Sequence, residues 1–460
     1  QGGGIYFANP PWVTPGVSRP VLRDCLFDGN SAGWGGGICL LGSEADLRNC
    51  TFSGNSAEFN GGGLDSIQCL SLRVNACVFR QNTATDGGGW FDEDSSPRLI
   101  NCSFETNTAE DVGGGFLCIR TTSNLPRLTD CIFTQNTAAW GGGMNSQDSS
   151  PQLIRCEFRN NTAEANDDGA SGTGGGVQCS GFTGEVRPPS IENCVFENNQ
   201  AQWGGGMRAY NSTAELSGCT FSDNSAQGGG GGISSMESPL STTNCVFEQN
   251  TALYGGGWSN NSGSPSLAGC TFRNNLAREG GGFHCRDGRF AGNSTTLRDC
   301  TFEGNRAERM GGGLRAVETM LGLSNCTFSG NSSESFGGGI FIRQSPILSS
   351  NCIFSQNVSR RGGAWLNERS SSRIRGCEFV NNIATIAGDQ GGEFSGGGAI
   401  HNYTGDVENP ILPTISGSSF CGNQPLTIFP VGSWRDLDGN QFCEQEGIGP
   451  FLRGNSNGDA

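Results

Sequence analysis

Apolar positions recur along this chain in a fixed phrase, not at helical spacing. The phrase reads apolar-x-(Asn/Asp/Gly)-Cys-x-Phe-x-x-Asn-x-Ala, then a few variable residues, then Gly-Gly-Gly-apolar. One clean copy is Leu47, Asn49, Cys50, Phe52, Asn55, Ala57, Gly61, Gly62, Gly63 and Leu64. The Phe place runs from Phe27, Phe52 and Phe79 to Phe379 and Phe420, about 15 copies, and Asn follows three residues later each time, from Asn30 to Asn423. Such a period marks a solenoid. Cys25 to Cys50, Cys77 to Cys102, Cys131 to Cys156 and Cys194 to Cys219 are each 25 residues apart, with longer steps between them. At ~3.3 Å per residue this spacing predicts one triangular coil of three strands. A helix would need apolar residues at i, i+3, i+4 and i+7 and would not tolerate repeated glycine triplets. The prediction is an all-β parallel β-helix (β-solenoid) of about 15 coils of ~25–30 residues over residues 1–423, with 424–460 a capping segment and truncated linker.

Cys and Phe, two apart, share the inward face of one strand, so every Phe stacks on the Phe of the next coil. The Asn side chains form an amide ladder along the rod. Residues just before Cys, such as Asp24, Asn49 and Gly218, tolerate the left-handed conformation and mark a corner. The glycine triplet is a bend too tight for side chains; alternation beyond it turns Cys118, Cys179 and Cys285 inward and Cys39 outward.

Composition narrows the function. Gly 76 of 460 residues without a three-residue period, only 17 Pro, and 28 Phe with 21 Cys exclude both collagen and disorder. The chain has no Lys, and its net charge of -16 makes nucleic acid and anionic membranes poor partners. No apolar stretch is long enough for a membrane-spanning helix. Cysteine never occurs as C-x-x-C, and His284 and His401 are isolated, so zinc-ribbon and redox motifs are absent and neither His is read as a ligand. The start, Gln1-Gly2-Gly3-Gly4, with neither Met nor a signal peptide, reads as a processed or trimmed segment.

Repeats of Phe-x-x-Asn and Gly-Gly-apolar resemble those of the polymorphic outer membrane proteins of chlamydiae and related right-handed parallel β-helix passengers, over about residues 1–423. The resemblance implies a right-handed solenoid that is surface-exposed or secreted, and many such proteins are adhesins. The Cys column departs from that pattern. Phe420 to Cys443 resembles the closing coil of other bacterial secreted β-helix proteins. Asn455-Ser-Asn457-Gly-Asp459 resembles the start of a dockerin-type calcium loop whose remaining carboxylates would lie beyond residue 460. No cofactor is assigned, and calcium is the one ion the stub suggests.

Candidate chemistry is sparse. The acidic groups Asp92-Glu93-Asp94, Asp167-Asp168 and Asp436/Asp438 fall in variable segments and read as solvated loop charge. The column cysteines are expected to be buried, reduced and unreactive. Cys421 with Cys443 is the first disulfide candidate and Cys39 with Cys69 the second. Trp34, Trp140, Trp203 and Tyr254, with Phe59 and Phe336, precede the triplets as an aromatic stripe that either contacts sugars or another rod, or covers its own glycine bend. The expected function is a secreted, non-enzymatic structural element or adhesin whose partner is itself or a cell-surface polysaccharide. Pairing of the Gly2–Tyr6 segment with another copy's last coil would give filaments. The alternatives are a carbohydrate-active lyase or hydrolase, marked by two or three carboxylates roughly 5 to 10 Å apart, and a passive spacer for a missing C-terminal domain.

Overall fold

A computed structural model of the chain describes residues 2–8, 19–120, 125–166, 169, 171–181, 188–287, 294–385, 396–403, 412–424, 426–429 and 434–443. The chain forms two units, 1–241 and 242–460, each built of the same coil. In the first unit one coil consists of the strands Asp46–Arg48, Thr51–Ser53, Ser56–Asn60 and Leu64–Ile67. Each strand pairs in parallel with its equivalent in the next coil, and Phe52 meets Phe79, which meets Phe104. The triangular expectation is thereby corrected. The variable residues between Asn and the glycine triplet are themselves a strand, so the coil has four short sides.

Three of the four corners share one construction. A residue of positive φ turns the chain, and the small residue after it accepts, through its side chain, the backbone N–H of the equivalent residue one coil back. Asn49 (φ 53) precedes Cys50, whose N–H donates to Cys77 Sγ at 3.4 Å. Gly54 (φ 61) precedes Asn55, whose N–H donates to Asn82 Oδ1 at 3.0 Å. Gln68 (φ 55) precedes Cys69, whose N–H donates to Ser95 Oγ at 2.9 Å. The corner N–H groups, which no ladder reaches, are thus satisfied inside the rod. At the fourth corner a Cβ on Gly62 would lie 2.4 Å from the Gly88 carbonyl oxygen, so stacked coils approach too closely for any side chain.

The Asn ladder continues beyond its corner. Asn82 Nδ2 donates to Asn107 Oδ1 at 2.9 Å and to the Phe52 carbonyl at 3.0 Å. The Phe rings stack at centroid separations of 4.6 Å (Phe52–Phe79) and 4.8 Å (Phe79–Phe104). Burial of each ring contributes about 2 to 3 kcal/mol by area.

The second unit repeats this plan from Phe247 to Phe420, and Phe442 adds one more ring at 5.1 Å. Strands Leu426–Phe429, Arg435–Asp436 and Gln441–Phe442 pair with the preceding coil. At this end the corner role of Cys passes to other side chains: Cys377 N–H donates to Ser418 Oγ, and Ser418 N–H to Asn440 Oδ1.

Cys421 and Cys443 are joined by a disulfide spanning 22 residues. The other nineteen cysteines form no disulfide, and all but Cys25 are buried. Cys39 and Cys69 are therefore not a pair. Cys39 points outward beside Asp65, while Cys69 sits inside at a corner. Burial pushes the Cys118, Cys179 and Cys285 thiols up to about 12. Native protein treated with an alkylating reagent is expected to label slowly at Cys25 and hardly elsewhere, and reduction should expose only Cys421 and Cys443. Closing a loop of this length is worth about 3 kcal/mol, so reduction should loosen the last coil alone. Mass spectrometry showing rapid labelling of the Cys50–Cys377 column in folded protein would contradict the arrangement.

Candidate functional site

The strand after each glycine triplet has alternating faces, and its second residue points away from the core. Such a residue should be wet, yet Phe91, Leu117, Asn145, His284, Arg315 and Leu366 are all buried. The reason is the bend. The triplet folds the chain back so that the last residues of the preceding strand stand over this position. Thr173 Oγ1 touches Gln178 Oε1 across one bend. The Tyr254 ring lies 5.4 Å from His284, and Phe336 lies 6.5 Å from Phe341. These two columns form a partly exposed wall over a buried floor along one side of each unit.

The aromatic stripe is that wall. Trp34 (44% exposed) stacks on Phe59 at 4.8 Å, and Trp140 and Trp203 share a column with Val112 and Thr173. Trp203 also covers the next coil's backbone, since a Cβ on Gly228 would meet its ring at 3.0 Å. Tyr254 belongs to the wall of the second unit, in register with Glu279.

In the second unit wall and floor together hold a charged cluster. Glu279 Oε2 pairs with Arg315 Nη2 at 3.1 Å and Glu279 Oε1 with Arg309 Nη1 at 3.5 Å. Arg315 Nη1 lies 2.7 Å from His284 Nε2. Guanidinium only donates, so Nε2 carries the lone pair and the imidazole proton sits on Nδ1. Burial, then the charges of Arg315 and Arg286, hold His284 well below the usual histidine range. It is neutral at neutral pH. Among the described residues the Nδ1 of His284 and the Nε of Arg315 have no hydrogen-bond partner. Arg315 packs over Phe341, its carbon 5.8 Å from the ring centroid. Arg309 and Tyr254 are the members nearer solvent.

The acidic groups read from sequence fare differently. Asp92 is no loop charge: it is 0% exposed, turned into the core, and accepts from Ser66 Oγ. Burial pushes its carboxyl up to about 7. Glu93 pairs with Arg120, and Asp438 is exposed. On the floor of the first unit, burial pushes Asp65 up to about 7 beside the Cys39 thiol. Asp167, Asp168 and the Asn455–Asp459 stub lie outside the described residues. Among the described residues no three or more His, Cys, Asp or Glu side chains are arranged to hold a metal ion.

The sequence profile of the right-handed β-helix region matches residues 3–188 and 186–322, and that of the Chlamydia polymorphic membrane protein repeat matches residues 325–343. Comparison with curated proteins finds no match. Similar solved structures include tailspike protein 3 of bacteriophage CBA120, at 11% identity and a TM-score of 0.31 over 82% of this chain and 57% of that one. A mannuronic acid-specific polysaccharide family 6 lyase from human gut microbiota is similar at 12% identity and a TM-score of 0.32, over 79% of this chain and 80% of the lyase. The periplasmic alginate epimerase AlgG is similar at 12% identity and a TM-score of 0.31, over 88% and 77%. This chain spans little more than half of the tailspike's length, and none of these likenesses carries a function to it. They do correct one expectation. With a lyase and an epimerase among the similar structures, the reading of the chain as a non-enzyme does not stand.

Proposed function

The chain belongs to the right-handed β-helix family, and from that premise we propose that it is an extracellular carbohydrate-active protein that takes a polyuronate along this wall and cleaves it at the Tyr254, His284 and Arg315 cluster. β-Elimination of a uronate removes the proton on the carbon beside the carboxylate, forms a carbon–carbon double bond, and expels the glycosidic oxygen, which leaves protonated. The reaction needs a cation to take up charge on the carboxylate, a neutral base, and a proton donor. Arg309 and Arg315 supply the first. When Arg315 turns from His284 to the sugar carboxylate, the freed Nε2 of the neutral His284 takes the proton from the carbon, and the more exposed Tyr254 phenol gives one to the departing glycosidic oxygen.

One observation carries this reading: at floor positions where other coils place Leu117, Phe91 or Leu366, this segment buries a neutral histidine and an arginine, the arginine paired with a buried glutamate of the wall. Such a group costs stability there unless it serves a ligand. The Cys421–Cys443 disulfide and the Chlamydia-type repeat support an oxidising, extracellular setting. The check is release of unsaturated sugar ends from a panel of polyuronates. Tyr254→Phe and Arg315→Gln are each expected to lower the rate by about 100-fold or more while the far-UV spectrum stays unchanged. Absence of unsaturated product from every polyuronate, or a Tyr254→Phe protein as fast as the parent, would refute it.

A further inference from the structure

The wall and floor of the first unit carry a second, different arrangement. Four consecutive coils place polar residues on the floor in register: Asn145, Gln178, Arg208 and Ser234. The coil before them has Leu117 and the one before that Phe91 at the same place. Over the polar run stand Trp140, which is 39% exposed, and the partly exposed Trp203. Trp203 and Arg208 flank one glycine bend, in the positions where Thr173 and Gln178 touch one coil earlier. The indole and the guanidinium thus flank the same bend, the ring packed over Gly228 of the next coil.

Arg208 is a cation without a counter-ion. Its Nη1 donates to Ser234 Oγ and its Nη2 approaches Met236 Sδ at 3.4 Å; among the described residues no carboxylate pairs with it. Burial pulls its pKa down to about 10. The Oδ1 of Asn145 on the same floor is buried with no hydrogen-bond partner among the described residues. A buried, unpaired charge costs several kcal/mol, and an anion from outside the chain that paired with it would recover part of that cost. A planar guanidinium fork matches a carboxylate in two parallel hydrogen bonds. An indole face on the same bend matches the apolar face of a pyranose ring.

We infer that Arg208 and Trp203 form a binding subsite for a carboxylated sugar residue, with Asn145 and Gln178 hydrogen-bonding hydroxyl groups of the same chain of sugars. This goes beyond the proposed reaction, shares only its ligand class, and stands on residues of the other unit.

The experiment titrates the whole chain with a short oligouronate and with a neutral oligosaccharide of equal length, reading tryptophan fluorescence and heat of binding. The oligouronate is expected to bind, and the neutral sugar to bind about tenfold more weakly or worse. Arg208→Gln should weaken oligouronate binding about tenfold or more, and Trp203→Ala should remove most of the fluorescence change. Without sugar, Arg208→Gln should raise Tm, because it removes an uncompensated charge; a structural role would lower Tm. Equal binding by Arg208→Gln and the parent, equal binding of acidic and neutral sugars, or a Tm lowered by Arg208→Gln overturns the subsite. Tyr254→Phe is expected to lower turnover about 100-fold or more and leave this binding intact, so the subsite and the reaction fail separately.

Discussion

Asn331→Ala is expected to cost about 3 to 5 kcal/mol, far more than any surface change on the same coil. Asn331 is fully buried; its Nδ2 donates to the Phe302 carbonyl at 2.9 Å and to Asn357 Oδ1 at 3.0 Å. Its Oδ1 accepts from Asn305 N at 3.1 Å and from Asn305 Nδ2 at 2.9 Å. Removing the amide leaves the Asn305 N–H and the Phe302 carbonyl without these partners in the buried interior. Two coils are damaged by one substitution, because each rung is shared. Glu303→Ala, on the exposed face of a neighbouring strand, should shift stability by about 0.5 kcal/mol or less. Denaturant melts of the two variants decide the matter, and an Asn331→Ala protein that melts with the parent would show that the ladder carries no stability.

Asp92→Asn is expected to stabilise the protein at pH 8 and to do nothing at pH 4. The Asp92 carboxyl is raised to about 7 when folded, chiefly by burial, against about 3.9 unfolded. A carboxyl with a raised folded value holds its proton more tightly in the native state. Its contribution is therefore complete below about pH 4, lost as pH rises toward 7, and flat above. Three pH units of difference correspond to an upper bound of about 4 kcal/mol. The isosteric amide keeps an acceptor for Ser66 Oγ and carries no charge to bury. Asp65, raised to about 7, acts in the same direction, whereas His401, lowered to about 4 by burial, loses stability as pH falls below its unfolded value. Comparing the variant with the parent at each pH isolates Asp92. A stability difference that does not change between pH 4 and 8 would mean that its carboxyl is not buried.

The inward columns were legible because stacking in register selects the same residue in every coil, so Phe, Asn and Cys repeat visibly. The fourth side, Ser56–Asn60 and its equivalents, was not, because its residues vary and its corner is made by glycine backbone alone. The same bend hid the wall and floor. His284 and Arg315 lie 31 residues apart and become neighbours only through parallel pairing, each one residue beyond the apolar position after a triplet. Their signal was present at that position, where Asp65, Arg208, His284 and Arg315 interrupt apolar and small residues. Asp92 was legible too, since alternation from Trp90 turns it inward; the acidic run Asp92-Glu93-Asp94 suggested a loop and obscured the strand Trp90–Glu93.

The central claim is that the wall and floor of the second unit receive an acidic sugar chain at their charged cluster. A crystal structure of the Tyr254→Phe protein soaked with an oligouronate tests it most directly. The account predicts a sugar carboxylate within hydrogen-bonding distance of Arg309 or Arg315, with the scissile residue against position 254. A sugar chain bound on another face of the coil, with the Glu279–Arg315 pair and His284 still sealed beneath the wall, would contradict it.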